Sequence, residues 1–274
     1  MKYLLGCFCL LSIWLYAQQR TNTATLAQQA GTKVATRFVV PETYGRKVYA
    51  KGSFGDYLQQ LALQPVGSKV LFYNGDIKPN QKVAAAVLTL DVGKKDLQQC
   101  ADAVMRLRAE YLFAQKKYTA IHFNFTSGFV ADYVKWAEGQ RIKVKGNTCT
   151  WYNAGESDYS YKNFRQYLDI IFCYAGTLSL SKEMKKAKLD SIEVGDVFIK
   201  GGSPGHAVIV VDMAIQKSTG KRIFMLAQSY MPAQSMHVLV NENNGALSPW
   251  YETNESDMLY TPEWTFNWTD LKRF

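Results

Sequence analysis

The stretch that most constrains the fold runs from residue 191 to 240, SIEVGDVFIKGGSPGHAVIVVDMAIQKSTGKRIFMLAQSYMPAQSMHVLV. β-Branched and aromatic residues fill short segments, and Gly, Pro and Ser clusters separate them, which is the pattern of an antiparallel meander. Strands are expected over 197–200, 206–212, 222–228 and 236–240, with a tight connection at 201–205 and a hairpin turn at 217–220. With a period of two, His206, Val208, Val210 and Asp212 share one face. Folding about 217–219 sets His206 opposite residues 228–231. Gln228 and Ser229 are then its expected cross-strand neighbours, and the register decides which of them faces it. A histidine beside an amide side chain on the next strand is half of a catalytic arrangement, and the other half must come from elsewhere in the chain.

Upstream, helical spacing over 54–63 ends at Pro65, and strands are expected at 37–40, 69–73, 83–90 and 121–125. The strongest helical repeat spans 94–116, where Leu97, Cys100, Val104, Leu107 and Tyr111 recur at 3-4-3-4 spacing. A short helix is expected at 129–139, an irregular stretch at 145–155, and helices at 161–174 and 179–187. The segment after Gly245 carries Pro249-Trp250-Tyr251, Pro262, Trp264 and Trp268; such aromatic content predicts a packed tail. With no internal repeat and no clear linker, the division is an export segment (1–17), a polar arm (18–36) and one α+β domain (37–274) in which an antiparallel sheet packs against helices.

The first residues read as an export signal. Lys2 precedes an apolar run over 3–16, and Ala17 stands before Gln18-Gln19-Arg20. The run is too short and wrongly flanked for a membrane span. Leu4-Leu5-Gly6-Cys7 looks like a lipoprotein box but lies too close to the start, so cleavage after Ala17 is favoured over anchoring. No later stretch could span a membrane. Removing 17 of 274 residues leaves 257, enough for a substantial core. The formal charge falls from +9 to +8 with the loss of Lys2. Its basic residues are scattered, as on a solvated surface, and no zinc spacing or RNA-binding signature accompanies them, so nucleic acid is not an expected partner. Cys100, Cys149 and Cys173 remain, an odd number, so at least one thiol is unpaired within the chain.

Cysteine hydrolases need a thiolate, a histidine to take its proton, and a polar group that fixes the imidazole tautomer. A helix N-terminus favours the thiolate, and the histidine then arrives from a sheet packed on that helix. Cys100, early in a long helix, His206, opening a strand, and Gln228, on the next strand, fit this order. The bland alternative is a buried, inert Cys100, since it occupies an apolar position of the repeat. Cys149 is the rival nucleophile and Cys173 reads as helix packing. His122 and His237 read as structural. Gln99, Ser203, Gly205 and Ser229 flank the three candidates and are assigned to substrate binding; Gln98 or Gln99 stands where an oxyanion donor would be placed. Asp102, Arg106 and Glu110 form i,i+4 pairs that need only a solvated face. Dispersed histidines without H-x-E or HExxH spacing give no metal site, and no cofactor is expected.

DLQQCADAVMRLRAEYL (96–112), FNFTSGF (123–129), GDVFIKGGSPGHAVIVVDMA (195–214) and LAQSYMPAQSMHVL (226–239) together resemble the DUF4846 family. The resemblance covers nearly the whole mature chain. It implies an exported bacterial protein, mostly found in Bacteroidota, and supplies no activity. More distantly, Gly195-Asp196-Val197 with Gly205-His206-Ala207-Val208 is similar to the strand pair of NlpC/P60 and CHAP cell-wall hydrolases. That likeness implies a papain-like core with a helical insertion, in which Cys100 is nucleophile, His206 base and Gln228 orienting residue. About a hundred residues separate Cys100 from His206, more than in those families. The expected function is a cysteine peptidase or amidase acting on cell-wall peptides in the periplasm or outside the cell. Its partner would be peptidoglycan peptide or another envelope polymer. The alternative is a non-catalytic envelope protein binding peptide or glycan in the same cleft.

Overall fold

Strands from both ends of the chain join the meander in one sheet. In the computed structural model, residues 31–253 and 258–274 are described; the expected export segment and most of the expected arm lie outside them. The first half of the chain forms α1 (Val34–Arg37), β1 (Tyr44–Arg46), α2 (Phe54–Gln59), β2 (Ala84–Val87), α3 (Cys100–Ala114), β3 (His122–Asn124) and β4 (Val130–Asp132). Next come α4 (Tyr133–Ala137), β5 (Gln140–Lys145), β6 (Thr148–Asn153), α5 (Tyr161–Tyr174), α6 (Thr177–Glu183) and β7 (Lys185–Lys186). The meander is β8 (Val197–Lys200), β9 (His206–Gln216), β10 (Arg222–Gln228) and β11 (His237–Leu239). The tail adds β12 (Tyr251–Glu252), β13 (Met258–Tyr260), β14 (Thr265–Asn267) and β15 (Leu271–Arg273).

Nine of these strands make one antiparallel sheet, ordered β2-β11-β10-β9-β8-β15-β7, with β1 also pairing with β9 and β12 with β10. Consecutive residues of β8, β9 and β10 are buried, so both faces of the sheet centre are covered. That is why their sequences read as near-continuous apolar runs rather than alternations. α2 and α3 pack on β9, and the rings of Phe266 and Trp268 lie against Phe198. The tail is packed as its composition predicts: Trp250 is fully buried and its indole N–H donates to the Val39 carbonyl.

Five local expectations are corrected. Residues 37–40 do not form a strand. Arg37 closes α1 and 38–40 follow it; Val34 and Arg37 are buried, so the fold begins within the segment read as an arm. Residues 145–155 are not irregular, because β5 and β6 form a hairpin turning at Gly146-Asn147, with Gly146 at φ +57°. The alternation of Ile142, Val144, Cys149 and Trp151 with polar neighbours is that of a half-buried hairpin. The helix expected over 129–139 is strand β4 followed by the shorter α4. Cys173 is exposed rather than packed, and all three described cysteines are free thiols.

The fifth correction matters most for the site. The long helix begins at Cys100, not near Lys94. Gly93 adopts φ +82°, a left-handed conformation that does not extend into a helix. At the third helical position the Asp102 carboxylate accepts the Gln99 backbone N–H at 3.0 Å and fixes the start.

Candidate active site at the start of the long helix

As the first residue of α3, Cys100 stands where backbone N–H groups lack helical partners and the helix dipole favours an anion. α3 crosses β9, and His206 is the first residue of that strand. Cys100 and His206 line one cleft of about 400 Å³, together with Gln99, Ser203, Gly205, Asp102, Tyr230 and Trp264. The backbone amides of Ala101 and Ala207 both act to favour the Cys100 thiolate, which sets the sulfur beside the residue that follows His206. Burial outweighs them and, with the Asp102 charge, raises the thiol to about 11.

Gly205 allows this approach. A Cβ there would come within 2.4 Å of Thr177 Oγ1 and 2.7 Å of the Lys200 carbonyl oxygen. The Thr177 hydroxyl, at the start of α6, donates to the Gly202 carbonyl at 3.1 Å. The connection 201–205 is thereby tied to a helix, and the position of His206 with it. The β9–β10 register pairs Ala227 with Ile209, so Gln228 reaches His206 diagonally rather than directly across. Tyr230 takes the nearer place, its ring 4.7 Å from the imidazole.

The hydrogen bonds fix the imidazole tautomer. Gln228 Nε2 donates to Glu263 Oε2 at 2.7 Å, so its Oε1 is the atom 2.7 Å from His206 Nε2. An amide oxygen only accepts, hence Nε2 carries the proton and Nδ1 keeps a free lone pair. Glu263 is held in turn by Lys78 Nζ at 2.6 Å. His237 Nδ1 lies 2.9 Å from the Ser235 carbonyl and therefore donates to it, leaving its Nε2 to face Gln228 Nε2 at 3.5 Å. Every member of this relay is satisfied, as a buried polar network must be. Tyr230, Trp264 and Phe266 enclose the imidazole, and the burial lowers His206 to about 4. The resting site therefore holds a thiol and a neutral imidazole.

Asp102 also lines the cleft, and its Oδ1 is buried without a partner. Burial raises its carboxyl to about 8 despite the Gln99 N–H, so near neutrality it is mainly the acid.

Of the residues expected from sequence, Cys100, His206, Gln99, Ser203 and Gly205 meet at this cleft, and Gln228 stands behind His206. Ser229 does not line it. Its hydroxyl is fully buried, 3.0 Å from the Gln98 carbonyl and 2.9 Å from that of Gln234, and its single proton serves one of the two, tying the end of β10 to the approach of α3. The Gln99 side chain is engaged by Asp96 Oδ1 at 3.1 Å. The face of α3 carrying Arg106 is not solvated: the guanidinium is buried and binds Glu110 at 3.3 Å and Gln98 Oε1 at 2.5 Å, while Asp102 takes no part. Sequence reasoning missed Glu263, Lys78 and the place of His237 in the relay. The one available signal was a carboxylate next to Trp264 in the aromatic tail.

Fold and cleft together define a class: an α+β protein whose antiparallel sheet brings histidine and glutamine to a helix that starts at cysteine. The chain belongs to the DUF4846 family, a domain of unknown function, which matches over residues 34–273. No match to it was found among the curated proteins or the solved structures. Among the described residues no helix is long and apolar enough to cross a membrane.

Proposed function

We propose that this protein is an exported cysteine hydrolase that cleaves amide bonds, with Cys100 as nucleophile, His206 as general base and Gln228 as the residue orienting the imidazole. The observation that carries the reading is the helix-first cysteine sharing a cleft with a strand-first histidine whose Nδ1 lone pair is left free by Gln228. The order of a helix bearing the thiol, a strand bearing the histidine and a neighbouring strand bearing the amide resembles the core of NlpC/P60 and CHAP hydrolases. It favours a papain-like arrangement and, with it, peptides of the cell envelope as substrate.

In the first step the sulfur attacks the substrate carbonyl carbon while the thiol proton moves to His206 Nδ1. The carbonyl oxygen becomes an oxyanion beside the N–H groups at the start of α3, which have no helical partner. Collapse breaks the C–N bond, and the imidazolium gives its proton to the departing amine. Water, deprotonated by the same nitrogen, then hydrolyses the thioester and restores the thiol. Because both groups rest neutral, the charge pair forms only with the reaction, and the Gln228–Glu263 relay stabilises the imidazolium through its Nε2–H.

The second reading, a cleft that binds peptide or glycan without cleaving it, draws on the same resting neutrality. Amine release from isolated envelope peptides, followed for the intact chain and for Cys100→Ala, separates the two. Release by the intact chain alone supports the hydrolase. Equal binding by both chains with no release supports the binder.

A further inference from the structure

A second cleft of about 400 Å³ lies on the other side of Phe172, which lines both. Its walls carry Lys94, Lys95, Lys162 and Arg165 against one carboxylate, Asp169. Lys95 is occupied by Asp169 at 2.8 Å, and Arg165 is shared between Asp91 at 3.5 Å and Glu110 at 3.8 Å. Lys94 and Lys162 form no ion pair among the described residues, and both are exposed. Gln98 lines the same cleft and is 1% exposed. Its Oε1 is identified by the bond from Arg106, which can only donate, so the atom left without a partner is the donor Nε2. A buried donor with no acceptor is destabilising, and an anionic ligand would supply the missing acceptor. Leu97 and Phe172 add apolar wall, which suits the stem of a side chain better than a hydrated inorganic ion.

We propose that this cleft is a subsite for a carboxylate of an acidic peptide whose neighbouring amide reaches Cys100. The inference rests on the hydrolase reading for the role of that amide, and on its own residues for the binding. Residues 97 and 98 lead directly into Gln99 and Cys100, so a chain lying along this edge passes from one cleft to the other. Lys94 and Lys162 supply the field, and Gln98 Nε2 supplies the directional hydrogen bond.

Calorimetric titration of the full chain carrying Cys100→Ala tests the subsite without any turnover. The probes are acetyl-Glu-Ala-Glu-amide, its Gln-Ala-Gln isostere, and inorganic phosphate. The acidic peptide should bind at least about tenfold more tightly than the isostere, and 0.5 M salt should narrow that gap. Lys94→Gln and Lys162→Gln, both at exposed positions, should each weaken it by about threefold, as for single exposed charge pairs. Gln98→Glu keeps an acceptor for Arg106 but removes the free donor and adds a negative charge, and should abolish the preference. Equal affinity for the two peptides, indifference to both lysines, or phosphate binding in place of the peptide would overturn the inference. Cleavage of neutral and acidic peptides with equal efficiency by the intact chain would overturn it too, while leaving the thiol chemistry standing.

Discussion

Alkylation of Cys100 at acidic pH reads the cysteine–histidine pair directly. The thiol at about 11 and the imidazole at about 4 stand seven pH units apart, so moving the proton between them unassisted costs about 9.5 kcal/mol. Opposite charges brought to about 4 Å, the approach that proton transfer requires, return about 4 kcal/mol at an effective dielectric of about 20. The remaining 5.5 kcal/mol or so corresponds to an ion-pair fraction of roughly 1 × 10⁻⁴, independent of pH between the two values. A thiol acting alone is ionised to only about 10⁻⁶ at pH 5 and about 10⁻⁴ at pH 7. The contrast is therefore greatest in acid. At pH 5 the chain should react with iodoacetamide on the order of 100-fold faster than its His206→Ala variant, and the two should converge above pH 7. Replacing Cys149 and Cys173 by serine leaves one described thiol, and intact mass of a chain of residues 18–274 then gives its rate. Superimposable profiles for the two chains, each rising tenfold per pH unit towards about 11, would refute the pairing and leave Cys100 a buried, unreactive thiol.

Gln228→Ala leaves the His206 Nε2–H without its acceptor and Glu263 Oε2 without the Gln228 donor, Lys78 still holding Oε1. Amine release should fall by at least about 100-fold, with a stability loss of about 1–3 kcal/mol in urea titration. Gly205→Ala forces a methyl against Thr177 and the Lys200 carbonyl; it should cost about 1–3 kcal/mol in urea and lower turnover more than substrate affinity. The Asp102 carboxyl, raised to about 8, has a folded value above its unfolded one. Its contribution is complete below about 4 and is lost as pH rises through 8, by up to several kcal/mol. Asp102→Asn should therefore flatten the decline in stability between pH 5 and 8, measured by urea midpoints. His206 and His237 are both lowered to about 4, so their contribution is present above about 6.5 and lost as pH falls through 4, about 3 kcal/mol each. His237→Gln should remove about half of that acid sensitivity in the same measurement.

What the chain discloses before folding follows the range of each interaction. The meander is legible because its information is local: period-two burial, β-branched runs and Gly-Pro-Ser connections all lie within a few residues of one another. Strands β8 and β10 fall where those runs predict them, and α5 spans the expected 161–174. The start of α3 is harder to read because Leu97 continues the apolar 3-4 repeat beyond the helix that generates it. The competing signals are the left-handed Gly93 and the capping carboxylate of Asp102, and they override a periodicity that burial alone would satisfy. This shift of six residues changes the chemistry, since it moves Cys100 from the second turn of a helix to its first position.

The relay behind His206 was hidden for a different reason. Glu263 lies 35 residues from Gln228 and 185 from Lys78, and only the return of the aromatic tail across the sheet joins them. No spacing rule encodes such a meeting. Its logic is energetic: an amide buried beside two neutral histidines needs a charged partner to fix which end faces His206, and that carboxylate needs a cation of its own. Gln228 can therefore orient the imidazole only while Glu263 and Lys78 remain paired. Glu263→Gln should let the Gln228 amide turn over, present its Nε2 to His206 and force the proton onto Nδ1, the nitrogen that must accept from Cys100. Activity should then fall about as far as in Gln228→Ala while the fold is retained. The ring-nitrogen shifts of His206 should exchange the protonated position in two-dimensional NMR. An unchanged tautomer in Glu263→Gln would show that the relay has no hold on the base.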